Sequence, residues 1–233
     1  MVIECLGTGS SGNCYVIEYE KHRLMLDCGI RFSVIQDWLF AHQVSLMLFD
    51  GCLVTHEHKD HCLSAKNVAR RTRVITTRGT AEAADLLFTG TRVIAKKERT
   101  KVGHFFVTAL GVHHDARDPV GYVIETDDGK EKLLYITDTY FCEYRFKDLT
   151  DVLIEVNYDI DTLSRATTDI PQKQRVTKTH MELETAVRLL ERSLDDCPNL
   201  DRIHVIHMSD RHCNEELVRK RMAEATGKQI IIF

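Results

Sequence analysis

Residues that interrupt or anchor a chain are scarce in this sequence. Only three prolines occur in 233 residues, and no stretch is rich enough in serine and glycine to act as a flexible linker. This argues against separate modules on a string and leads us to expect one compact domain, 1–233. No apolar run approaches the ~18–20 residues that a membrane-spanning helix needs. The opening MVIECLGTGSSGNC has no basic segment leading into an apolar one, so no secretory signal and no membrane partner are expected. Eight cysteines stand at 5, 14, 28, 52, 62, 142, 197 and 213 without a CxxC pair. That spacing excludes a zinc ribbon and a dense disulfide framework, and it fits a reduced, cytoplasmic protein. A surplus of positive charge is also missing. The net charge of −4 excludes a protein that coats nucleic acid by bulk electrostatics, though not an enzyme whose bound cations attract phosphate. GTGSSGN, at 7–13, lacks the lysine of an NTPase phosphate loop, which excludes that cradle.

What is present reads as an ordinary folded chain, 43% hydrophobic and 28% charged. VIECL, CYVIEY, HRLMLDCG, GCLVTH and TRVITT have strand character. So do TRVIAK, HFFVTALGV, GYVIETD, KLLYITD, DVLIEVN and DRIHVIH, with DDG as a hairpin turn. IRFSVIQDWLFAHQ has helical spacing, with Ile30, Val34, Trp38 and Leu39 near one face. SAKNVARR, TAEAADLLF, MELETAVRLLERSL and NEELVRKRMAEA are the other expected helices. Roughly ten strands flanked by helices give an α/β or α+β protein with much antiparallel sheet. Several apolar strands end in Asp or His, and strand ends are where such folds assemble sites.

THEHKDH concentrates His56, His58, Asp60 and His61 within six residues. Imidazole suits zinc and neighbouring transition metals, and carboxylate suits harder divalent ions. His56 and His58, two residues apart, point the same way from an extended segment and so can share one ion; Asp60 and His61, past a turn, can reach a second. Further ligands must come from other strand ends: His113 or His114, Asp138 and His207. His113 and His114 are adjacent, so a strand would turn them to opposite faces. The pleat does not say which faces the site, because Gly111 is a candidate bulge that would shift its phase.

THEHKDH resembles the HxHxDH signature of the metallo-β-lactamase-fold hydrolases. LDCG (Asp27), a histidine at a strand end, ITDT (Asp138) and IHMS (His207) follow in that superfamily's order. The resemblance spans nearly the whole chain and implies a four-layer αββα sandwich of two mixed sheets flanked by helices. More narrowly, GTGSSGNCYVIE, HDARDPVGY, YITDT, IEVNYD and HMSDRHCN resemble the YycJ (WalJ)-like branch, whose members are regarded as DNA exonucleases. The resemblance implies that His56, His58 and His114 hold one divalent ion. Asp60, His61 and His207 would hold a second, and Asp138 would bridge the two. HDA-x-x-PVGY selects His114 over His113. Asp27 would orient a ligand histidine through that ring's other nitrogen. Where the branch usually has HLSN this chain has HMELE from His180, and where it usually has His this chain has Tyr158. Both positions, with Asn157 of the IEVNYD motif, are implied to lie near substrate. The long inserted domain of the β-CASP RNA-processing branch is missing.

The implied cofactors are two divalent ions, of zinc, manganese or iron, and the implied partner is DNA. The expected reaction is hydrolysis of a phosphodiester by a metal-activated hydroxide, with Asp60 accepting the water's proton and His180 protonating the leaving alkoxide. Ser10, Ser11 and Asn13 are candidates for lining the mouth of the site. A small ester, lactone or thioester hydrolase, or a non-catalytic metal-stabilised module, would fit the same fold.

Overall fold

A computed structural model describes residues 1–87 and 90–233. Phe88, the last residue of the expected helix TAEAADLLF, lies outside the described residues. The architecture is two mixed sheets flanked by helices, and the chain divides into two compact units. The first comprises Met1–Gly111 and Ala116–Gly129, the second Val112–Asp115 and Lys130–Phe233.

In the first unit, β1 (Val2–Gly7), β2 (Cys14–Tyr19) and β3 (His22–Leu26) form an antiparallel meander. Helix α1 (Phe32–Ala41) then leads to β4 (Gly51–Leu53), the helical turns α2 (Lys59–Cys62) and α3 (Ala65–Ala69), β5 (Val74–Thr76), α4 (Arg78–Ala83) and β6 (Arg92–Val93). From β3 to β6 the strands pair in parallel. Buried on both faces, they read as short continuous apolar runs rather than alternating ones. Leu24, Met25, Leu26, Cys52, Leu53, Val74 and Ile75 are wholly inaccessible. Helix α1 covers this core with Ile35 fully buried and Val34, Trp38 and Leu39 packed beside it. The expected helix at 80–88 instead ends at Ala83. Asp85 adopts a left-handed φ of 54°, and the Leu86 amide closes the turn by donating to the Ala81 carbonyl.

β7 (Arg99–Val102), β8 (Phe105–Gly111) and β9 (Val120–Thr126) complete this unit as an antiparallel run. The register of β8 and β9 is unbroken from Phe105↔Thr126 to Gly111↔Val120. Gly111 is therefore no bulge. The strand simply stops there, so strand alternation has no hold on His113 and His114.

The second unit is built on four parallel strands: β10 (Lys132–Ile136), β11 (Asp151–Glu155), β12 (Arg202–Ile206) and β13 (Gln229–Ile232). Its helices are α5 (Ile160–Arg165), α6 (Ile170–Thr179), α7 (Leu183–Leu194) and α8 (Glu215–Thr226). Helix α7 is the amphipathic segment the spacing predicts. Leu183, Ala186, Val187, Leu190 and Ser193 are buried at i, i+3, i+4, i+7 and i+10, and Glu182 caps the Thr185 amide. Parallel strands bring their C-terminal ends to one edge, so Asp138, Asn157 and His207, which follow β10, β11 and β12, emerge there together. The described residues hold thirteen strands, more than the sequence suggests; the two that the sequence reading lacks are the four-residue strands β7 and β13. Among the described residues no helix is long and apolar enough to cross a membrane.

Candidate metal centre

In the first unit the histidine motif leaves β4 as extended chain through His56 and His58 and then winds into α2, which carries Asp60 and His61. The His58 carbonyl accepts from the His61 and Cys62 amides, at 2.9 and 3.0 Å, and so starts the turn. Two loops clamp the motif. The Asn13 amide donates to the Asp60 carbonyl (2.7 Å) and the Cys28 amide to the His61 carbonyl (2.9 Å). Three imidazoles gather here, with the His56 ring centroid 4.7 Å from that of His58 and 4.2 Å from that of His61.

Asp27 organises the group from beneath. It is fully buried, at the end of β3, with φ at 53°. Its carboxylate accepts from the Thr55 amide (2.8 Å) and hydroxyl (2.9 Å) and from His61 Nδ1 (2.7 Å). Nδ1 of His61 therefore carries the proton. Nε2 is the bare nitrogen, and the Asn13 amide, 3.1 Å away, donates to it. The Thr55 hydroxyl spends its proton on Asp27 and so accepts from His56 Nδ1 at 3.0 Å, which leaves His56 Nε2 without the proton. Rings held by Nδ1 with Nε2 presented are the arrangement that metal-binding histidines require. A divalent cation fits this donor set.

Gly29 makes the close packing possible. A Cβ at this position would collide with the Asp60 carbonyl and the His61 amide. Gly29→Ala is expected to push the α2 backbone aside at a cost of about 1–3 kcal/mol. A melting temperature lowered by several degrees, together with weakened metal binding in a titration, would register both effects.

In the second unit, Asp138, Glu155, His180 and His207 each offer a donor atom, all within 4.8 Å of one another. Asp138 and His207 follow their strands with φ of 47° and 51°. That left-handed conformation is disfavoured for side chains with a Cβ and persists where surrounding bonds over-determine it. Glu155 is the hub. It is fully buried at the end of β11. Its Oε1 lies 2.6 Å from His180 Nδ1 and 3.3 Å from His207 Nδ1. Its Oε2 accepts from the Thr139 and Met181 amides, at 3.1 and 3.2 Å. Burial pushes the Glu155 carboxyl up, but the His180 charge and the histidine hydrogen bonds outweigh it, so the group sits below its ordinary range. Burial would likewise lower His180, yet the Glu155 charge and hydrogen bonds to Asp138 and Glu155 push it up to about 9. At neutral pH His180 holds its proton.

His113 and His114 separate clearly. The His113 side chain is 45% exposed and faces Glu143 at 3.2 Å. The His114 side chain is 2% exposed; its Nδ1 donates to the Thr179 carbonyl at 3.0 Å, and its Nε2 lies 3.3 Å from Asp115 Oδ1. Burial holds its pKa below the usual imidazole value.

Of the residues expected near substrate, Ser10 and Ser11 are exposed on their loop, whereas Asn13, Asn157 and Tyr158 are buried. Asn13 braces the loops around Asp60. The Asn157 amide donates to the His207 carbonyl at 3.0 Å and lies 3.2 Å from its Nδ1, so it positions that ring. Tyr158 packs with Leu163 and Val176, and burial pushes its hydroxyl up to about 12. His212 is bound by Thr168 and Ser209, and Asn214 caps α8. Glu155 escaped the sequence reading. The available signal was an acidic residue closing the apolar run VLI of that strand.

Comparison with known proteins places these geometries in a family. The model of the beta-lactamase superfamily domain matches residues 22–208. The exodeoxyribonuclease WalJ of Streptococcus pneumoniae is 26% identical over 232 residues, covering 93% of this chain and 85% of the relative. The exodeoxyribonuclease YycJ of Bacillus anthracis is 25% identical, with 94% and 86% covered. The metallo-beta-lactamase fold protein YhfI from Bacillus subtilis superposes with a TM-score of 0.77 at 17% identity, covering 99% of this chain and 95% of that one, a likeness of fold. With that match across most of the chain and His/Asp clusters suited to divalent ions in hand, the chain belongs to the beta-lactamase superfamily domain family, as a YycJ-like metal-dependent hydrolase of the metallo-β-lactamase fold.

Proposed function

We propose that the protein is a dinuclear phosphodiesterase that acts on DNA as an exonuclease. The observation that carries this reading is the complete HxHxDH donor set in a chain similar, over 93% of its length, to an exodeoxyribonuclease. The family match crosses from one compact unit into the other, which supports one functional domain over 1–233. The eight cysteines are free thiols, in keeping with work in the reducing cytoplasm.

By this reading His56, His58 and His114 would hold one divalent ion and Asp60, His61 and His207 the other, with Asp138 beside them as a further ligand. Such ions supply Lewis acidity, lowering the pKa of water and neutralising phosphoryl charge. Asp27, Thr55, Thr179 and Asn157 fix the tautomers and angles of the histidines. Asp60 accepts the proton of the attacking water. The new P–O bond forms as the bond to the ester oxygen breaks, and His180, held at Nδ1 by Glu155, passes its proton to the departing alkoxide.

The test is a panel: protein loaded with Mn²⁺ or Zn²⁺ and offered linear duplex DNA, single strands, RNA, bis-p-nitrophenyl phosphate and a thioester. The proposal expects about two ions per chain and release of nucleotides from DNA ends. Turnover of the thioester alone would replace it with a small-ester hydrolase, and metal binding with no turnover would leave a binding module.

A further inference from the structure

Beside His114 the second unit contains a cleft of ≈ 620 Å³, lined by Tyr140, His113, Asp115 and one stripe of α6. The stripe is Pro171, Gln174, Arg175 and Lys178, at i, i+3, i+4 and i+7. Those positions share one helical face, which on most helices carries apolar residues into a core. Here it is polar and cationic and faces an open space. The buried side of the same helix is supplied by Val176 and Thr179. Helix α6 contains Lys173, Arg175 and Lys178 and no acidic residue. Lys173 is occupied with the Ser164 carbonyl at 2.9 Å, so Arg175 and Lys178 are the two cations that line the cleft. The acid facing them is Asp115, 3.4 Å from Arg175 Nε; Glu143 is held by His113.

The opposite wall is aromatic. Tyr140 is 45% exposed, its ring centroid 5.3 Å from that of His113 with the planes inclined by 38°. Its backbone is fixed by donation to the His113 carbonyl at 3.4 Å. A solvent-facing ring backed by a second ring, opposite two cations and an amide, has the chemistry of a site for a nucleobase attached to phosphates. The same space reaches His114, whose Nδ1 is held by the last residue of α6. Base platform, phosphate-binding face and metal-type donor thus line one cleft of nucleotide size.

We propose that this cleft grips an unpaired DNA end: Tyr140, backed by His113, stacks on the nucleobase next to the scissile phosphate, and Arg175 and Lys178 hold neighbouring phosphates. The inference rests on the reading of the protein as a DNA phosphodiesterase. It also assigns a use to His113, the histidine that is not the buried one of the pair.

The experiment compares Tyr140→Ala, Tyr140→Phe and the double variant Arg175→Gln/Lys178→Gln with the parent. Each is assayed with a DNA oligonucleotide and with bis-p-nitrophenyl phosphate, a diester with no nucleobase. All three positions are exposed, so folding is expected to survive. Tyr140→Ala should raise KM for DNA by roughly 5- to 150-fold, the worth of one stacked base, while Tyr140→Phe restores it. The double variant should lower the slope of log(kcat/KM) against log[salt] by about 1 to 2. Diester hydrolysis should change by less than about 2-fold in all three. DNA kinetics unchanged in Tyr140→Ala and in the double variant would overturn the clamp and leave the phosphodiesterase reading standing. Equal losses on DNA and on the diester would also overturn it, by showing that the residues serve the centre itself. A parent enzyme that cleaves the diester but no DNA would remove the DNA reading, and the clamp with it.

Discussion

Dialysis against EDTA is expected to take hydrolysis to background, and Mn²⁺ or Zn²⁺ to restore it. The expected size of the effect follows from the nucleophile. Bulk water has a pKa of 15.7, against about 7 when bound to a suitable ion, so at neutral pH the available hydroxide at the site falls by a factor on the order of 10⁸. The donor residues are His, Asp and Glu, none of them a hydroxyl or thiol activated by a base. The cysteine nearest the motif, Cys62, donates its thiol to the Glu57 carbonyl, and burial pushes its pKa up to about 12. A thiol so placed is not ionised near pH 7. Substantial phosphodiesterase activity in protein shown by elemental analysis to be metal-free would sink the metal-dependent mechanism.

The donors and the framework under them were largely legible in the sequence, because both rest on short-range patterns. THEHKDH gathers four donor residues within one short segment, and the apolar runs before Asp138 and His207 announce parallel strands whose ends share one edge of the second unit. The resemblance implied that Asp27 orients a histidine without saying which, and the ring it holds is that of His61. Helix α6 was not legible. Only Val176 and Thr179 are buried on it, so it has no apolar stripe for a periodicity reading to find. Its start is nonetheless signalled by Asp169, which caps the Gln172 amide at 2.9 Å, and by Pro171 in the first turn. The choice between His113 and His114 was beyond strand alternation, since β8 ends at Gly111 before either residue. The chain carries His114 inward because the Thr179 carbonyl at the end of α6 receives its Nδ1. That contact spans 65 residues, and no local pattern encodes it. Asn157 and Tyr158 illustrate a further limit: a motif marks a neighbourhood, whereas burial decides which side chains face outward.

Glu155→Ala is expected to destabilise the metal-free protein by about 3–5 kcal/mol, the usual cost of breaking a buried ion pair by removing one partner. For a chain of this size that corresponds to a melting temperature lower by roughly 6–20 °C. EDTA-treated protein is the right sample, because a bound ion would add its own stabilisation to both melts. Glu155 accepts from two buried backbone amides, those of Thr139 and Met181, and faces two imidazoles, so truncation removes the partner of four groups at once. The opposing effect is repulsion between Glu155 and Asp138, since His180 Nδ1 stands 2.6 Å from one carboxylate and 3.1 Å from the other. The directions of the shifts indicate which effect wins. Glu155 sits below its ordinary range and His180 well above its own, so attraction to the imidazolium exceeds repulsion between the acids. Glu155→Gln keeps an oxygen for the two amides and loses only the charge, and its melt should fall between those of the parent and Glu155→Ala. A metal-free Glu155→Ala protein that melts at or above the parent would mean that the acid pair stores repulsion, which only a bound cation relieves.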